Sequence, residues 1–333
     1  MGTEKLRVAI VGLGKMGLLH TSILNVIPNV QLAAVCEKNS LTRRVFKRIL
    51  GDVPLLADLD GLSGLDIDSV FITTPTSSHF KVAKQVYESH LARHLFIEKP
   101  LTSNYDDSRE LCALANRKGG INMVGYLRRF MVTFVKAKEL LSEGYIGEPS
   151  SFRITAYSSD FVGVSESTEI SEARGGVLRD LGSYAIDIAL WFFGGFQLRS
   201  AENHSLTASG AEDSVLFSVY QEPNSLLGTV SVSWCEEGYR MPEVVLYIEG
   251  SKGAIEVSDD RVRLSLSNGN ESVWFRHSLN DNVKFWLGAP EYYREDEYFV
   301  ESARNGSVAE PSFETASNVD LLIDLIKRKL KKD

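Results

Sequence analysis

A glycine-rich loop near the N-terminus constrains the fold of this chain more than any other feature. The residues "VGLGKMG" follow a β-rich run, "LRVAIV", and open a segment whose apolar residues have helical spacing. A strand–loop–helix unit of this kind lets the backbone approach a pyrophosphate, and the helix N-terminus supplies N–H groups for the anion. We therefore predict a dinucleotide-binding loop, the alternative being a glycine turn without a ligand. The residues predicted to form the loop are Gly12, Leu13, Gly14, Lys15, Met16 and Gly17.

The acidic residue Glu37 ends a second predicted strand, "VQLAAVCE", in the part of the chain where such loops place their ribose acceptor. Its carboxylate can accept both ribose hydroxyls of NAD, and it would repel the 2′-phosphate of NADP. Three cations that follow it, Lys38, Arg43 and Arg44, weaken this last argument. The sequence therefore predicts NAD as the cofactor and does not exclude NADP.

The hydrophobic pattern of the chain changes near residue 125. Before that point, strand patterns alternate with helical patterns, which is typical of βαβ units and a parallel sheet. After it, runs such as "SFRITAYS" and "DSVLFSVYQ" alternate apolar and polar residues, as antiparallel strands with one covered face do. We predict an α/β Rossmann domain with a doubly wound parallel sheet over residues 1–124. An α+β domain with an open, mostly antiparallel sheet is predicted over residues 125–333.

The composition excludes several classes of protein. The 333 residues carry a net charge of −8, and an acidic chain without a basic stripe disfavours nucleic acid as a partner. The three cysteines form no CxxC pair, and no apolar run is long enough to span a membrane. His90 and His94 are four residues apart, but no third ligand accompanies them, so no metal site is predicted. We expect a cytoplasmic protein without a membrane partner.

The stretch "LFIEKPLT" ends an apolar strand with a lysine between a carboxylate and a proline. In a doubly wound sheet, ligands bind beyond the carboxyl ends of the strands, which is where Lys99 would lie. Pro100 restricts the backbone of Lys99 to extended conformations. An ammonium group held there could bind a substrate oxygen and stabilise the alkoxide that develops as hydride leaves. The alternative is a solvated lysine at the end of a strand.

Several motifs occur in an order that resembles the Gfo/Idh/MocA oxidoreductases over nearly the whole chain. They are the glycine loop, "DIDSVFITTPTSSH", "FIEKPLT", "VGYLRRF", "GGVLRDLGSYAIDIALWFFGG" and "EYYREDEYFVESARNG". The resemblance implies a Rossmann domain followed by an α+β domain. It also implies hydride transfer between NAD(P) and a hydroxyl of a sugar, polyol or nucleotide-sugar. By the same resemblance Lys99 is catalytic, and the residues near the cofactor are Thr74, Pro75, His79 and Glu98.

The predicted helix after Gly175-Gly176 carries Asp180 and Tyr184, whose spacing would place them on one helical face. Many family members have histidine where this chain has Tyr184, and some use tyrosine together with the lysine. Tyrosine has a reference pKa of about 10, so it acts as a base near neutrality only beside a cation such as Lys99. The resemblance implies that Tyr184 carries the proton and Asp180 orients the site. A packed Tyr184 ring and a helix-start role for Asp180 are the alternatives.

Two further features complete the prediction. Arg128 and Arg129 match a family arginine region near the substrate, although the proline that usually follows is absent and surface charge is the alternative. The Ser- and Glu-rich loop at residues 158–172 is predicted to contribute to the substrate pocket. The family assembles through its open sheet, which implies a homodimer or homotetramer. Two other functions are left open: a non-catalytic NAD(P)-binding sensor or regulator, and a sugar–sugar oxidoreductase with tightly bound cofactor.

Overall fold

The computed structural model describes residues 5–163, 174–204, 206, 211–222 and 225–331. The second part of the loop predicted at residues 158–172 lies outside them. The chain divides into two compact units. Unit 1 consists of Met1–Leu127 and Val283–Ser317, and unit 2 of Arg128–Asn282 and Asn318–Asp333.

Strands and helices alternate along the first part of the described chain, and strands dominate the second. The strands are β1 (Leu6–Val11), β2 (Val30–Cys36), β3 (Leu55–Leu56), β4 (Ser69–Ile72), β5 (His94–Glu98), β6 (Asn122–Gly125), β7 (Pro149–Tyr157), β8 (Gln197–Asn203), β9 (Ser214–Gln221), β10 (Leu226–Ser233), β11 (Glu243–Gly250), β12 (Gly253–Val257), β13 (Arg261–Leu266) and β14 (Glu271–Phe275). The helices are α1 (Lys15–Leu24), α2 (Ser40–Leu50), α3 (Thr76–Glu88), α4 (Tyr105–Lys118), α5 (Val132–Ser142), α6 (Ser183–Phe193), α7 (Pro290–Asn305) and α8 (Phe313–Leu330).

Unit 1 is built on a parallel sheet with the strand order β3-β2-β1-β4-β5-β6. Its central strands β1, β4 and β5 are mostly apolar and mostly buried, as expected for a parallel sheet covered by helices on both faces. The order reverses between β1 and β4, and such a switch point opens a crevice at the carboxyl ends of the strands. The predicted doubly wound Rossmann sheet is therefore confirmed.

Helix α7 belongs to unit 1 although it follows β6 by more than 160 residues in the chain. It packs against α1, and Phe299 meets the rings of Phe71 and Phe96 edge-on at centroid distances of 5.2 and 5.7 Å. Beyond α7, the Pro311 carbonyl accepts a hydrogen bond from the Val124 N–H of β6 at 2.9 Å. Unit 1 thus takes its core from two separate stretches of the sequence.

Unit 2 is built on a sheet with the strand order β14-β13-β12-β11-β7-β10-β9-β8. Strands β7 and β10 pair in parallel, and the other neighbouring pairs are antiparallel. Buried and partly exposed residues alternate along β7, β9 and β11, so the apolar residues share one face. Helices α5 and α6 pack on the sheet, α6 against β7. The predicted mostly antiparallel α+β sheet is also confirmed.

The predicted helix that carries Asp180 does not begin as a regular α-helix. Leu178–Gly182 forms a π-helical turn that leads directly into α6. Because this turn is wider than an α-helical one, Asp180 and Tyr184 are not separated by one regular α-helical turn. Arg179 in this turn donates to Asp320 at 3.1 Å and to Asp324 at 2.9 Å, which fixes the wide turn against α8 within unit 2.

Membrane insertion has no candidate element here. No helix in the described ranges combines the length and the apolar composition that crossing a bilayer requires.

Candidate active site

The three motif glycines of the loop differ in their surroundings. Gly12 has a φ of +97°, and a Cβ there would lie 2.9 Å from Cγ2 of Thr74. A Cβ on Gly17 would lie 1.9 Å from the carbonyl oxygen of Gly12, so only glycine fits where α1 meets the loop. Apart from Gly14 itself and its chain neighbours, no atom of the described residues lies within 4 Å of the position that a Cβ of Gly14 would occupy. The loop is closed on its inner side and open at Gly14, where a ligand can approach the backbone.

The loop is fastened to the neighbouring strands by side chains. Thr73, which follows β4, donates its hydroxyl to the Gly12 carbonyl at 2.7 Å. The Glu37 carboxylate accepts the Leu13 N–H at 2.8 Å and the Asn39 N–H at 2.7 Å, and Arg43 donates to the Glu37 carbonyl. Glu37 is thus held beside the loop by backbone donors, in the place predicted for a ribose acceptor.

Lys15 and Met16 form the first turn of α1. Lys15 is exposed and Met16 half-buried, while Leu13 is buried beneath the loop. The residue that precedes the helix, Gly14, has no side chain to cap it. The first N–H groups of α1 therefore point toward the open side of the loop, where an anion would be stabilised by the helix dipole.

His79 joins the two loops that follow β4 and β5. Its ring is 1% exposed, with Nε2 2.8 Å from the Thr74 carbonyl oxygen and Nδ1 2.9 Å from the Pro100 carbonyl oxygen. Burial lowers the pKa of His79, although both carbonyls oppose that effect. A neutral ring donates to one of the two carbonyls at a time. The structure therefore places His79 beneath the loops of Thr74, Pro75 and Pro100, as a tie between them.

Lys99 lies immediately beyond the carboxyl end of β5. The preceding Glu98 is 9% exposed and accepts the Lys99 backbone N–H on Oε2 at 3.0 Å. The peptide bond between Lys99 and Pro100 is cis. Because β2, β1, β4 and β5 are parallel neighbours, the residues at their carboxyl ends share one edge of the sheet. That edge carries the predicted cofactor loop, Glu37, Thr74 and Lys99.

A buried cluster of charged residues lies behind Lys99 and was missed by the sequence analysis. His20 of α1 is fully buried, with Nε2 2.9 Å from Oε1 of Glu98 and Nδ1 2.8 Å from Oδ1 of Asp296 in α7. Burial lowers the pKa of His20, but the charges and hydrogen bonds of Asp296 and Glu98 together raise it well above its usual value. Glu295, also fully buried, has its pKa raised well above the usual range by burial and by neighbouring carboxylates.

The two arginines predicted near the substrate are buried in unit 2, so they are not the surface charges of the alternative. Arg129 makes a bidentate pair with Asp187 of α6, with N–O distances of 2.7 to 3.1 Å. Arg128 donates to Asp259 at 3.2 Å and stacks over the Tyr184 ring, its guanidinium carbon 4.7 Å from the ring centroid. Both guanidinium groups hold α6 in place, and their contact with a substrate stays a prediction.

Asp180 and Tyr184 have different partners in unit 2. Arg174 lies 3.4 Å from Oδ2 of Asp180 and 2.6 Å from Oδ2 of Asp160. The Tyr184 ring lies under Arg128. The structure therefore orients the two predicted catalytic groups of unit 2 through two separate arginines.

Metal binding has no visible basis in the described ranges, which contain no group of three or more His, Cys, Asp or Glu residues able to hold an ion. Of the two spaced histidines, His90 lies 3.0 Å from the Lys118 ammonium, and His94 accepts the Ile121 N–H on Nδ1 at 2.9 Å. Each histidine thus has a local contact near the end of an element.

Comparison with protein families gives matches to both parts of the chain. The sequence model of the oxidoreductase family GFO_IDH_MocA, described as an NAD-binding Rossmann fold, matches residues 6–126. The model of the GFO/IDH/MocA C-terminal domain matches residues 134–256.

Individual relatives match this chain at low sequence identity. Scyllo-inositol 2-dehydrogenase (NAD⁺) of Bacillus subtilis is 28% identical over 203 residues, which are 60% of this chain and 57% of the relative. Myo-inositol 2-dehydrogenase of Thermotoga maritima is 27% identical over 195 residues, 57% of this chain and 55% of the relative. The chain thus spans little more than half the length of the curated relatives it matches.

Among solved structures, levoglucosan dehydrogenase in complex with NADH and levoglucosan superimposes with a TM-score of 0.88. The match covers 99% of this chain and 98% of that one, at 21% identity. At this level of identity the likeness shows a shared fold.

Proposed function

Since the chain belongs to the Gfo/Idh/MocA family of oxidoreductases, we propose that it is an NAD-dependent dehydrogenase acting on a carbohydrate-like hydroxyl. The substrate class is a sugar, a polyol or a nucleotide-sugar. Bound nicotinamide would accept a hydride from the carbon that bears the hydroxyl, and the hydroxyl proton would pass to the protein. The named activities of the inositol and levoglucosan dehydrogenases support this class.

The observation that carries the proposal is the position of Lys99 on the cofactor edge of the unit 1 sheet. Lys99 follows β5, whose neighbour β4 is itself paired with β1, the strand that leads into the glycine loop. His79 ties the loop of Thr74 to Pro100, the residue after Lys99. The lysine is therefore anchored on the same edge as the cofactor loop, as a group that acts beside a nicotinamide must be.

The residues of unit 1 fit an NAD molecule. The open space at Gly14 and the first N–H groups of α1 would hold the pyrophosphate, and Glu37 would accept the ribose hydroxyls. Thr74 and Pro75 would border the nicotinamide half, with His79 and Glu98 supporting them from below. When bound, NAD supplies the acceptor for hydride.

Three side chains have separate roles in the oxidation of the alcohol. Lys99 donates a hydrogen bond to the substrate oxygen and stabilises its developing negative charge. Tyr184 exchanges the proton, assisted by the cation of Lys99, and Asp180 orients the site. The stacking of Arg128 supports the Tyr184 role, because it restricts the ring to one orientation.

The test is NADH formation across a panel of inositols, hexoses, polyols and nucleotide-sugars, with the Lys99→Ala variant run in parallel. We expect a fall in kcat of at least about 100-fold in Lys99→Ala, with little change in NADH affinity measured by fluorescence. Lys84→Ala is the matched control, because Lys84 lies on the outside of α3 and pairs with Glu110.

The outcomes separate the functions left open by the sequence. Turnover that depends on Lys99 supports the dehydrogenase. Turnover only with a second sugar as acceptor, in protein purified with its cofactor, supports the sugar–sugar oxidoreductase. Tight NADH binding without turnover on any panel member would support the sensor or regulator and overturn the proposal.

A further inference from the structure

The buried cluster behind Lys99 has a definite geometry within unit 1. The ring of His20 lies between two carboxylates, Glu98 at the end of β5 and Asp296 in α7. Nε2 is 2.9 Å from Oε1 of Glu98, and Nδ1 is 2.8 and 3.0 Å from the two oxygens of Asp296. His20 and Asp296 are fully buried, and Glu98 is 9% exposed. No step of the proposed reaction uses this cluster, and its position needs an explanation.

The contacts of both ring nitrogens define the charge of His20. A carboxylate accepts hydrogen bonds, so each nitrogen that faces one must carry a hydrogen, and only an imidazolium donates from both. The charges of the two carboxylates favour the same state, since they raise the pKa of His20 despite its burial. Burial raises the pKa of Asp296, but the charge and hydrogen bond of His20 oppose that effect, so the geometry favours an imidazolium between two carboxylates.

The cluster is sealed from water by aromatic rings. The rings of Phe71 and Phe96 lie 5.7 and 5.2 Å from the His20 ring, and Tyr292 meets it edge-on at 6.3 Å. A charge in such surroundings interacts strongly with its partners, and removing one partner is costly. The contacts of His20 therefore hold Glu98 in a single orientation.

Because Glu98 is held in one orientation, it also fixes the backbone of Lys99. While Oε1 of Glu98 accepts from His20, its Oε2 accepts the backbone N–H of Lys99 at 3.0 Å. We propose that His20 is a positioning residue for Lys99, which acts by fixing the Glu98 carboxylate that holds the Lys99 backbone N–H. This inference rests on the proposed function, in which Lys99 holds the substrate oxygen.

The charged and titratable groups around His20 come from two elements besides its own helix. Strand β5 contributes Glu98, and helix α7 contributes Asp296, Glu295 and the Tyr292 ring. Burial and the charges of Glu98 and Asp296 raise the pKa of Glu295 well above its usual range, with Glu291 a minor contributor, which favours the protonated form of Glu295.

The inference predicts a defined dependence on pH. The pKa of His20 is raised in the folded protein, so the imidazolium is complete near neutrality and is lost as the pH rises through the folded pKa. After that loss one carboxylate faces a lone pair of the ring. Glu98 then holds the backbone N–H of Lys99 less firmly. The rate kcat then falls on the alkaline side, whereas NADH affinity, set by the glycine loop, changes little.

The first experiment measures the protection of the Lys99 backbone N–H and needs no substrate. Hydrogen exchange of peptides that contain Lys99, followed by mass spectrometry, reports the protection of its backbone N–H. We expect exchange about 10-fold faster in His20→Gln than in the unmodified protein, because the carboxylate that accepts this N–H is no longer fixed. Glu295→Gln is the matched control, since it replaces a neutral acid of α7 by a neutral amide and should leave this protection unchanged. Equal protection in His20→Gln and the unmodified protein would overturn the inference.

The second experiment uses the pH profile of kcat with any active substrate. Asp296→Asn removes one carboxylate but keeps the ring, so the alkaline limb should move down by about one pH unit or more. His20→Gln should lower kcat about 100-fold and lose this limb, with NADH affinity retained. An alkaline limb that is identical in Asp296→Asn and Glu295→Gln would contradict the positioning role.

The two readouts keep this inference distinct from the proposed function. If no substrate is turned over but Lys99 protection depends on His20, the dehydrogenase proposal fails and the structural link stands. If turnover depends on Lys99 but neither protection nor the alkaline limb responds to His20 and Asp296, the dehydrogenase stands and the positioning role fails. The pH dependence of exchange in the unmodified protein tests the link even if His20→Gln does not fold.

Discussion

At the scale of single residues, the glycine loop separates structural from ligand-binding glycines. A Cβ at position 17 would collide with the Gly12 carbonyl at 1.9 Å, whereas one at position 14 would meet no described protein atom within 4 Å. We expect Gly17→Ala to lower the melting temperature and to abolish NADH binding, because backbone has to move. Gly14→Ala should keep the melting temperature and still weaken NADH binding about 10-fold or more, since its methyl group occupies the space of the pyrophosphate. Thermal unfolding and fluorescence titration of both variants test this contrast, and equal losses of stability would contradict it.

Glu295 offers a second prediction for a single residue. Neither of its carboxyl oxygens has a hydrogen-bond partner in the described part of the chain, and its pKa is raised well above the usual range. A raised pKa of an acid means that the folded state binds the proton more tightly than the unfolded state does. The stability is then greatest below the unfolded pKa and falls as the pH rises toward the folded one. We expect Glu295→Met to gain stability over the unmodified protein as the pH rises above the unfolded pKa of about 4.3, by up to about 1.4 kcal/mol per pH unit until the folded pKa is reached. Denaturant unfolding at several pH values measures the gain, and a difference that does not vary with pH would contradict a neutral Glu295.

A residue of the site could be predicted from the sequence where its position follows from the strand that precedes it. The glycine loop, Glu37 and Lys99 directly follow β1, β2 and β5, whose carboxyl ends share one edge of the parallel sheet, so the sequence pattern was enough to predict their arrangement. His20 and Asp296 are 276 residues apart, and no local pattern joins them. The only signal was a histidine on an otherwise apolar stretch of α1 and a run of acids in "EYYREDEYF". Neither shows which acid meets the histidine.

At the scale of elements, α6 is held by a buried ion pair. Arg129, just before α5, makes three N–O contacts with Asp187, and the two side chains are 8% and 1% exposed. Removing one partner leaves a buried charge unpaired, so we expect Arg129→Ala to cost about 3–5 kcal/mol in unfolding free energy. Arg109→Ala is the control: its pair with Asp106 is exposed and should be worth less than about 1 kcal/mol. Chemical denaturation of both variants checks the difference, and equal costs would show that the Asp187 pair is not a buried one.

Hydrophobic periodicity predicted the elements that are long enough and regular enough to show a period. Strands such as β9 and β11 show clear alternation, and most helices of unit 1 have regular spacing. Strand β3 has two residues, too few for any period. Strand β8 ends in "RSAEN", where four of the five residues are polar or charged, so it shows no clear alternation. The spacing of Leu41, Val45 and Ile49 gives helix α2 an apolar stripe, but these side chains are 54–70% exposed. Spacing shows that a helix has an apolar face and does not show what covers it.

At the scale of the whole molecule, unit 1 depends on a stretch that lies far along the chain. Truncation after residue 282 removes α7, and with it Asp296 and Phe299 from the core around His20, Phe71 and Phe96. We expect this truncated protein to lose NADH binding and cooperative unfolding of unit 1.

Truncation after residue 317 is the matched comparison. It keeps all of unit 1 and removes Asp320 and Asp324, the partners of Arg179 in unit 2. NADH binding should persist in this variant, although unit 2 loses stability. Fluorescence titration and circular dichroism distinguish the two proteins, and NADH binding by the shorter one would contradict the role given to α7.

The return of the chain to unit 1 also affects how the protein is made. Domains tend to fold as they leave the ribosome, those nearest the N-terminus first. Here β1 to β6 emerge early, but α7 leaves the ribosome only after the strands of unit 2 have been synthesised. During that interval Phe71 and Phe96 lack the cover of Phe299, and His20 lacks Asp296, so the nascent chain presents an apolar surface to chaperones. The first unit to be translated is therefore completed only after the strands of unit 2 and helix α7 have emerged.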